Sequence, residues 1–256
     1  MTLDLARPVS RRTTGVEVLL VLGLSLGQSA IYSLVTIVGR LTADRPLSQQ
    51  TATLNPSQSA RPWLDLAYQL LGIAFALVPV LLAVHLLNRE GGDARQRLGL
   101  DAARPRADLG WGAALAAAIG LPGLGLFAVA AWLGINANVV PAALPHVWWA
   151  VPVLVLSAAQ NAILEEVIVV GYLVTRLREL GWRIGAVIAA SAVLRGSYHL
   201  YQGFGAFLGN AVMGVVFALF FLRTRRVMPL IVAHTLLDVV AFVGYTLLPD
   251  DWFRWL

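Results

Sequence analysis

Seven long apolar segments divide this chain, and they leave little room for any fold other than a bundle of membrane helices. They lie at about 16–38, 64–88, 109–134, 147–176, 184–200, 204–222 and 229–248. A helix needs roughly 20 residues to cross the hydrocarbon core. Because lipid offers no partners to an open backbone, helices are expected throughout. The sequence therefore predicts an all-α, polytopic membrane bundle of about seven transmembrane helices, with a range of six to eight.

The composition excludes several other classes of protein. Of the 256 residues 58% are hydrophobic and only 13% are charged, which is too apolar for a soluble globular domain. All 19 basic residues are arginines, and they gather in the loops, so the net charge of +5 predicts no nucleic-acid partner. Cysteine is absent, which excludes a disulfide framework and a thiol nucleophile. The sequence leaves the oligomeric state open.

The arginines alternate between the two sides of the predicted bundle. Fourteen lie in the N-terminal tail and in loops 89–108, 176–183 and 223–226, whereas four lie in the alternate loops and the C-terminal tail. Cytoplasmic loops carry the excess of arginine, so the N-terminus is predicted to be cytoplasmic and the C-terminus external. The arginine-only, alanine-rich composition indicates a high-GC prokaryote, and hence an integral protein of a bacterial cytoplasmic (inner) membrane.

Polar residues recur at helical spacing in three of the last four segments. The fourth carries Ser157, Asn161, Glu165 and Tyr172, the fifth Ser191, Arg195 and His199, and the seventh His234 and Asp238. Side chains four or seven apart share one face of a helix. Glu166 points about 100° away from Glu165, at the edge of its stripe.

These stripes predict that helices four to seven enclose a polar site. The first three helices have no comparable feature. The predicted organisation is a single membrane domain in which residues 1–146, with the cytoplasmic loop 89–108, support a catalytic bundle at 147–248.

The residue types on these stripes form a set suited to hydrolysis. A glutamate can deprotonate water, and imidazoles can hold a metal or polarise a carbonyl. His234 and Asp238 lie one turn apart and could ligate one ion together. The sequence has no HExxH motif and no serine nucleophile elbow. Two alternatives stay open: structural ion pairing of Arg195 with a glutamate, and a proton-coupled transporter, which would more often show repeats and broken helices.

Three motifs in order resemble the CPBP family of intramembrane proteases. Residues 165–173, EEVIVVGYL, resemble the EExxxRG signature of that family. Arg195 to His199 stands where the family has FxxxH, and His234 to Asp238 stands where it has HxxxN or HxxxD. The family includes type II CAAX prenyl endopeptidases and Abi-type bacteriocin-processing or immunity proteins. The resemblance covers roughly residues 147–245.

The resemblance implies a role for each residue of the site. Glu165 would activate the water with Glu166 assisting, and His199 and His234 would bind a metal or stabilise the oxyanion. Asp238 would orient His234 or join the metal. The implied ligands of a divalent metal, with zinc as the candidate, are His199, His234 and Asp238. The implied activity is that of an intramembrane metalloendopeptidase that cleaves a membrane-embedded or membrane-associated peptide or protein at a site facing the cytoplasm.

Two positions depart from the family pattern. The arginine of EExxxR is Val170 here, and the phenylalanine of FxxxH is Arg195. We hypothesise that Arg195 supplies from the fifth helix the charge that the fourth helix has lost. The alternative is a non-catalytic immunity or scaffold protein on the same fold.

The depths of the site residues disagree when they are measured from the loop arginines. Glu166 lies roughly 15 Å from Arg176, whereas His199 lies roughly 24 Å from Arg183. A shared site therefore predicts that the turn at 200–205 is submerged in the membrane.

Overall fold

A computed structural model describes residues 10–89 and 91–247, and this part of the chain is mainly a bundle of α-helices. The helices are α1 (Arg11–Gly23), α2 (Leu26–Leu41), α3 (Pro62–Ala76), α4 (Val78–Asn88), α5 (Ala94–Leu98), α6 (Pro105–Trp132), α7 (Ala150–Glu165), α8 (Leu173–Glu179), α9 (Ile184–His199), α10 (Phe204–Thr224) and α11 (Met228–Leu247). A π-helical segment, Glu166–Tyr172, joins α7 to α8. The described residues also form two strands, β1 (Thr51–Thr53) and β2 (Asn138–Val140), and two short 3₁₀ turns, Leu47–Gln49 and Leu200–Gln202.

Five helical stretches of the described residues are long and apolar enough to cross a membrane. They are Pro62–Asn88, Pro105–Trp132, Ala150–Glu179, Phe204–Thr224 and Met228–Leu247. The pair α1 and α2 makes a sixth if it is one span. The expected all-α polytopic fold is thereby confirmed. The described count falls below seven because α9 has 16 residues, about 24 Å of helix against a core of about 30 Å.

The first predicted helix, 16–38, is broken rather than continuous. The axes of α1 and α2 meet at 54°, and Ser25 between them has non-helical backbone angles, φ −144° and ψ −127°. A Cβ on Gly27 would lie 2.7 Å from the carbonyl oxygen of Leu22, so the bend requires glycine there. The expectation of one helix failed because an apolar run without proline contains no strong break signal.

The fourth predicted helix forms the centre of the bundle. Every residue of its π-helical segment is buried, and Ser191 of α9 donates a hydrogen bond of 3.0 Å to the carbonyl oxygen of Val169. A π-helix inserts an extra residue into the turn and is often found at functional sites. Glu165 ends the α-helical part and Glu166 begins the π-helical part.

The helices of the two halves of the chain pack against each other around this centre. α9 lies against α10 and α2, while α11 lies against α6 and α7. Gly214 of α10 allows a close approach to α9, since a Cβ there would lie 2.8 Å from the Cα of Ala192. Both α2 and α6 therefore contribute to the surroundings of the last helices. The division at residue 146 stays a prediction.

The loops on the side away from the arginine-rich loops pair with each other. β1 and β2 are parallel, with Ala52 opposite Val139. The side chain of Asn136 accepts hydrogen bonds from the backbone N–H of Gly205, at 2.9 Å, and of Ala206. This contact fixes the start of α10 and the short 3₁₀ turn Leu200–Gln202 that precedes it.

Ion pairs order the opposite, arginine-rich face. Arg226 bonds to Asp101 at 2.9 Å and to Asp108 at 2.7 Å, and Arg97 pairs with Glu179. The Arg226 pairs hold the predicted cytoplasmic loop against the turn between α10 and α11, and the Arg97 pair holds it against the end of α8.

Candidate active site

An arginine from α9 lies against both adjacent glutamates. Nη2 of Arg195 is 2.7 Å from each carboxylate oxygen of Glu166, and Nη1 is 3.3 Å from Oε2 of Glu165. The side chains of Arg195 and Glu166 are fully buried. Since buried charges need a partner, Arg195 offsets the negative charge of the pair. This ion pair is the contact that the hypothesis of a transferred arginine requires.

Glu165 has more freedom than Glu166. Its Oε2 accepts a 2.8 Å hydrogen bond from the phenol of Tyr198 and the longer bond from Arg195. Its Oε1 accepts no hydrogen bond from the described residues, and 10% of the side chain is exposed. Both oxygens of Glu166 are engaged by Arg195. Glu165 is therefore the carboxylate that can accept a proton.

His199 directs an unpaired donor toward Glu165. The amide nitrogen of Gln202 lies 3.2 Å from Nδ1 of His199. An amide nitrogen only donates, so Nδ1 accepts and the ring proton of the neutral imidazole is on Nε2. Nε2 is buried without a hydrogen-bond partner in the described part of the chain, 3.8 Å from Oε2 of Glu165. Buried donors are rarely left without an acceptor, so this N–H marks His199 as a candidate binding group.

His234 holds Glu166 from the other side. Its Nδ1 donates to Oε1 of Glu166 at 2.7 Å and lies 4.0 Å from Oε2 of Glu165. Its Nε2 is 3.6 Å from the carboxylate of Asp238, beyond hydrogen-bond distance. Asp238 is one-fifth exposed and lies at the edge of the cluster.

The six residues predicted from the sequence thus lie in one cluster, and the depth discrepancy disappears. Arg176 does not mark the end of its helix: it is fully buried, bonds to the carbonyl oxygen of Leu86, and the helix continues to Glu179. Glu165 lies fourteen residues before Glu179, and His199 lies fifteen residues after Ile184. The two antiparallel helices therefore bring Glu165 and His199 to the same level.

One group among the described residues has the spacing to hold a metal ion. Ligand atoms of Glu165, Glu166 and His234 all lie within 4.8 Å of one another. The predicted ligand set, His199, His234 and Asp238, shares only His234 with it. The sets differ because His234 turns its Nδ1 toward the glutamates, which the one-turn spacing to Asp238 does not indicate.

The present contacts of this group do not fit a bound metal. Both oxygens of Glu166 already accept from Arg195, and Nδ1 of His234 carries the proton that it donates to Glu166. A metal ion needs a deprotonated nitrogen and free carboxylate lone pairs. It would also lie beside the guanidinium, where two positive charges repel each other.

The sequence interpretation missed Tyr198. Tyr198 does not follow the four-residue spacing of Ser191, Arg195 and His199. It lies three residues after Arg195 and therefore shares a helix face with it. Its phenol is buried and donates a hydrogen bond to Oε2 of Glu165. The sequence signal for Tyr198 is its spacing of three residues from Arg195, an arginine inside an apolar segment.

The fold and the site together define a polytopic membrane protein with a buried, hydrolase-like cluster of acidic, histidine and arginine side chains. Residues 146–240 match the family model of the type II CAAX prenyl endopeptidase Rce1-like proteins. The resemblance to intramembrane proteases is thereby confirmed for this segment, which contains all six predicted site residues. No curated protein and no solved structure matches the chain.

Proposed function

We propose that this protein is an intramembrane endopeptidase that hydrolyses a peptide bond of a membrane-embedded or membrane-associated protein. The observation that carries the proposal is the pair of opposed groups in the cluster. Among the residues that the structure describes, one carboxylate oxygen of Glu165 has no donor and the buried N–H of His199 has no acceptor. A water can donate to the carboxylate oxygen of Glu165, and the carbonyl oxygen of a peptide bond can accept from the N–H of His199.

The chemistry follows from these two groups. Oε1 of Glu165 takes a proton from water as the water oxygen bonds to the carbonyl carbon of the substrate. The Nε2–H of His199 donates to the oxyanion that forms, and such donors act strongly where water is excluded. Glu165 then passes its proton to the amide nitrogen as the C–N bond breaks. The products are a new carboxylate and a new amine.

The other members of the cluster hold Glu165 in place. Glu166 and Arg195 form a neutral pair, which His234 closes from α11. Tyr198 fixes the second oxygen of Glu165. We assign no step to a divalent metal, and the predicted zinc is tested by chelation.

Two other functions remain as alternatives to be tested. A transporter would place its ionisable groups along a path across the bilayer, whereas Glu165, Glu166, His199 and His234 meet at one point. The valine at position 170, where the family has arginine, favours a second candidate, a non-catalytic immunity or scaffold protein. Only an activity measurement separates it from the protease.

We also propose that the protein resides in a bacterial inner membrane with its site open to the cytoplasm. The support for this orientation is the excess of arginine in the loops on one side of the bundle.

The experiment that tests the function is a comparison of membrane peptides from cells that carry the wild type, Glu165→Gln or Asp44→Asn. Asp44 is an exposed carboxylate without an ion pair in the described residues, so it is the matched control. We expect peptide products that disappear with Glu165→Gln and persist with Asp44→Asn. Identical peptide sets in all three strains would contradict the protease and favour the non-catalytic protein.

A further inference from the structure

A polar stripe runs along α2, on the face toward α9. Its members recur at helical spacing and carry amide or hydroxyl groups: Gln28, Ser29, Tyr32, Ser33 and Thr36. All are exposed except Ser33, which is 3% exposed. The sequence interpretation overlooked this stripe because none of its members is ionisable at neutral pH.

The stripe lines a cavity of about 340 Å³, together with Tyr198 and Tyr201. A cavity of this size is within the range of about 300–1,000 Å³ typical of ligand pockets. Oγ of Ser33 accepts a 2.6 Å hydrogen bond from the backbone N–H of Tyr201, which joins α2 to the 3₁₀ turn. We call this cavity the α2–α9 groove.

The groove contains hydrogen-bonding groups that have no partners. The side chains of Gln28, Ser29, Tyr32 and Thr36 make no hydrogen bond within the described residues. A polar group without a partner in hydrocarbon costs several kcal/mol, so such groups rarely face lipid alone. The groups of the groove are therefore available to an occupant that both donates and accepts hydrogen bonds.

Two hydrogen-bonded connections link the groove to the candidate active site. Tyr198 forms part of the wall, and its phenol donates to Glu165. The phenol oxygen of Tyr201 accepts from Gln202, whose amide also donates to His199. The groove thus lies one or two side chains away from each of the two opposed groups.

The break between α1 and α2 lies beside the groove. The non-helical Ser25 precedes Gln28 by less than one turn, and its Oγ donates to the carbonyl oxygen of Val21. Irregular backbone at membrane depth is tolerated where it lines a cavity. The bend, which depends on Gly27, thus lies at one end of the groove.

We propose that the α2–α9 groove binds an extended segment of the substrate polypeptide adjacent to the bond that is cleaved. This inference rests on the proposed endopeptidase function. An extended backbone in the membrane has N–H and C=O groups without partners, and the amide and hydroxyls of the groove match both. The lining holds no charged side chain, which disfavours an anionic lipid headgroup. A helix of a second copy would offer a backbone that is already hydrogen-bonded.

Disulfide trapping tests the groove without requiring cleavage. The chain has no cysteine, so Ser29→Cys, Thr36→Cys and Val35→Cys each introduce a single thiol. Val35 is 66% exposed on the same helix but outside the groove, and it is the matched control. Each change is made in the full chain with Glu165→Gln, reconstituted in liposomes. The probe is a pool of synthetic single-span peptides with one cysteine and randomised residues beside the apolar span.

We expect at least five times more peptide adduct at positions 29 and 36 than at position 35. Equal adduct at all three positions would overturn the groove as a peptide site. Disulfides between two copies of the chain as the main product at 29 and 36 would also overturn it, because the occupant would then be a second copy.

Steady-state kinetics with Glu165 intact separate the groove from the function. Gln28→Leu and Thr36→Val should each raise KM about fivefold, the effect of one lost hydrogen bond, with kcat within about twofold. Val35→Thr should change neither constant. Trapping without any cleavage by the intact chain would support the groove and contradict the endopeptidase. Cleavage that is insensitive to both groove variants would contradict the groove and leave the endopeptidase standing.

Discussion

Replacement of Arg195 is the most informative single perturbation of this protein. Its guanidinium donates to both oxygens of Glu166 and to Glu165, and neither it nor Glu166 has any exposed side-chain surface. The change Arg195→Phe leaves two adjacent carboxylates without their buried cation. Loss of one partner of a buried ion pair typically destabilises a protein by about 3–5 kcal/mol. We expect a loss of stability in this range and loss of peptide cleavage.

A second substitution tests whether the position of the arginine matters. Val170 is fully buried on the segment that carries the glutamates, where the resembling family has arginine. Val170→Arg alone buries a second cation in the bundle and should destabilise the chain. The double variant Val170→Arg/Arg195→Phe restores one cation, so the two changes should couple by about 1–3 kcal/mol in the stabilising direction.

The assay is chemical unfolding of the purified chains in mixed detergent micelles, followed by tryptophan fluorescence, with cleavage measured in parallel. Arg97→Leu is the matched control, because Arg97 is partly exposed and pairs with Glu179 at the surface. Such a pair contributes at most about 1 kcal/mol. A wild-type stability and rate for Arg195→Phe would refute the reasoning, and strictly additive effects in the double variant would refute the transferred charge.

Three further changes probe the surroundings of the site. Tyr198→Phe removes a hydrogen bond to Glu165, the proposed base, and should lower kcat about tenfold with little change in melting temperature. An unchanged kcat would exclude an orienting role for Tyr198. Gly203 has φ +126°, and a Cβ there would lie 2.5 Å from the backbone of Asn136. Gly203→Ala should therefore lower the free energy of unfolding by about 2 kcal/mol or more. Unchanged stability would contradict the described turn. The backbone N–H of Ala103 and the guanidinium of Arg226 lower the pKa of Asp101 below its ordinary 3.8. The stability that this carboxylate adds is therefore present above about pH 4 and lost as the pH falls through the lowered pKa. The melting temperature of Asp101→Asn should therefore fall less than that of the wild type between about pH 5 and 3.

The fold class and most of the candidate site could be predicted because both follow from periodicity. Apolar length predicts the helices, and the spacing of Glu165, Arg195 and His199 places them on facing stripes. These signals are local to each helix, and the family match extends over the same residues. The convergence of the stripes required only that consecutive helices be antiparallel.

The remaining features depend on contacts between helices, which periodicity does not encode. Both glutamates contact Arg195, although their backbone angles are α-helical and their side chains leave the helix about 100° apart. The direction of His234, which decides the ligand group, depends on packing against Glu166. The bend at Ser25 arises in an apolar run without proline. Each of these follows from tertiary packing and could not be inferred from one segment alone.

The central proposal is that Glu165 activates water for peptide hydrolysis and that no metal takes part. The direct test is incubation of the purified chain in liposomes with the peptide pool in oxygen-18 water, followed by mass spectrometry of the products. We predict new carboxyl termini that carry one oxygen-18 atom, lost with Glu165→Gln and retained after dialysis against a chelator. Equal labelled product from Glu165→Gln would contradict the role of Glu165, and activity that is lost on chelation and restored by zinc would contradict the metal-free mechanism.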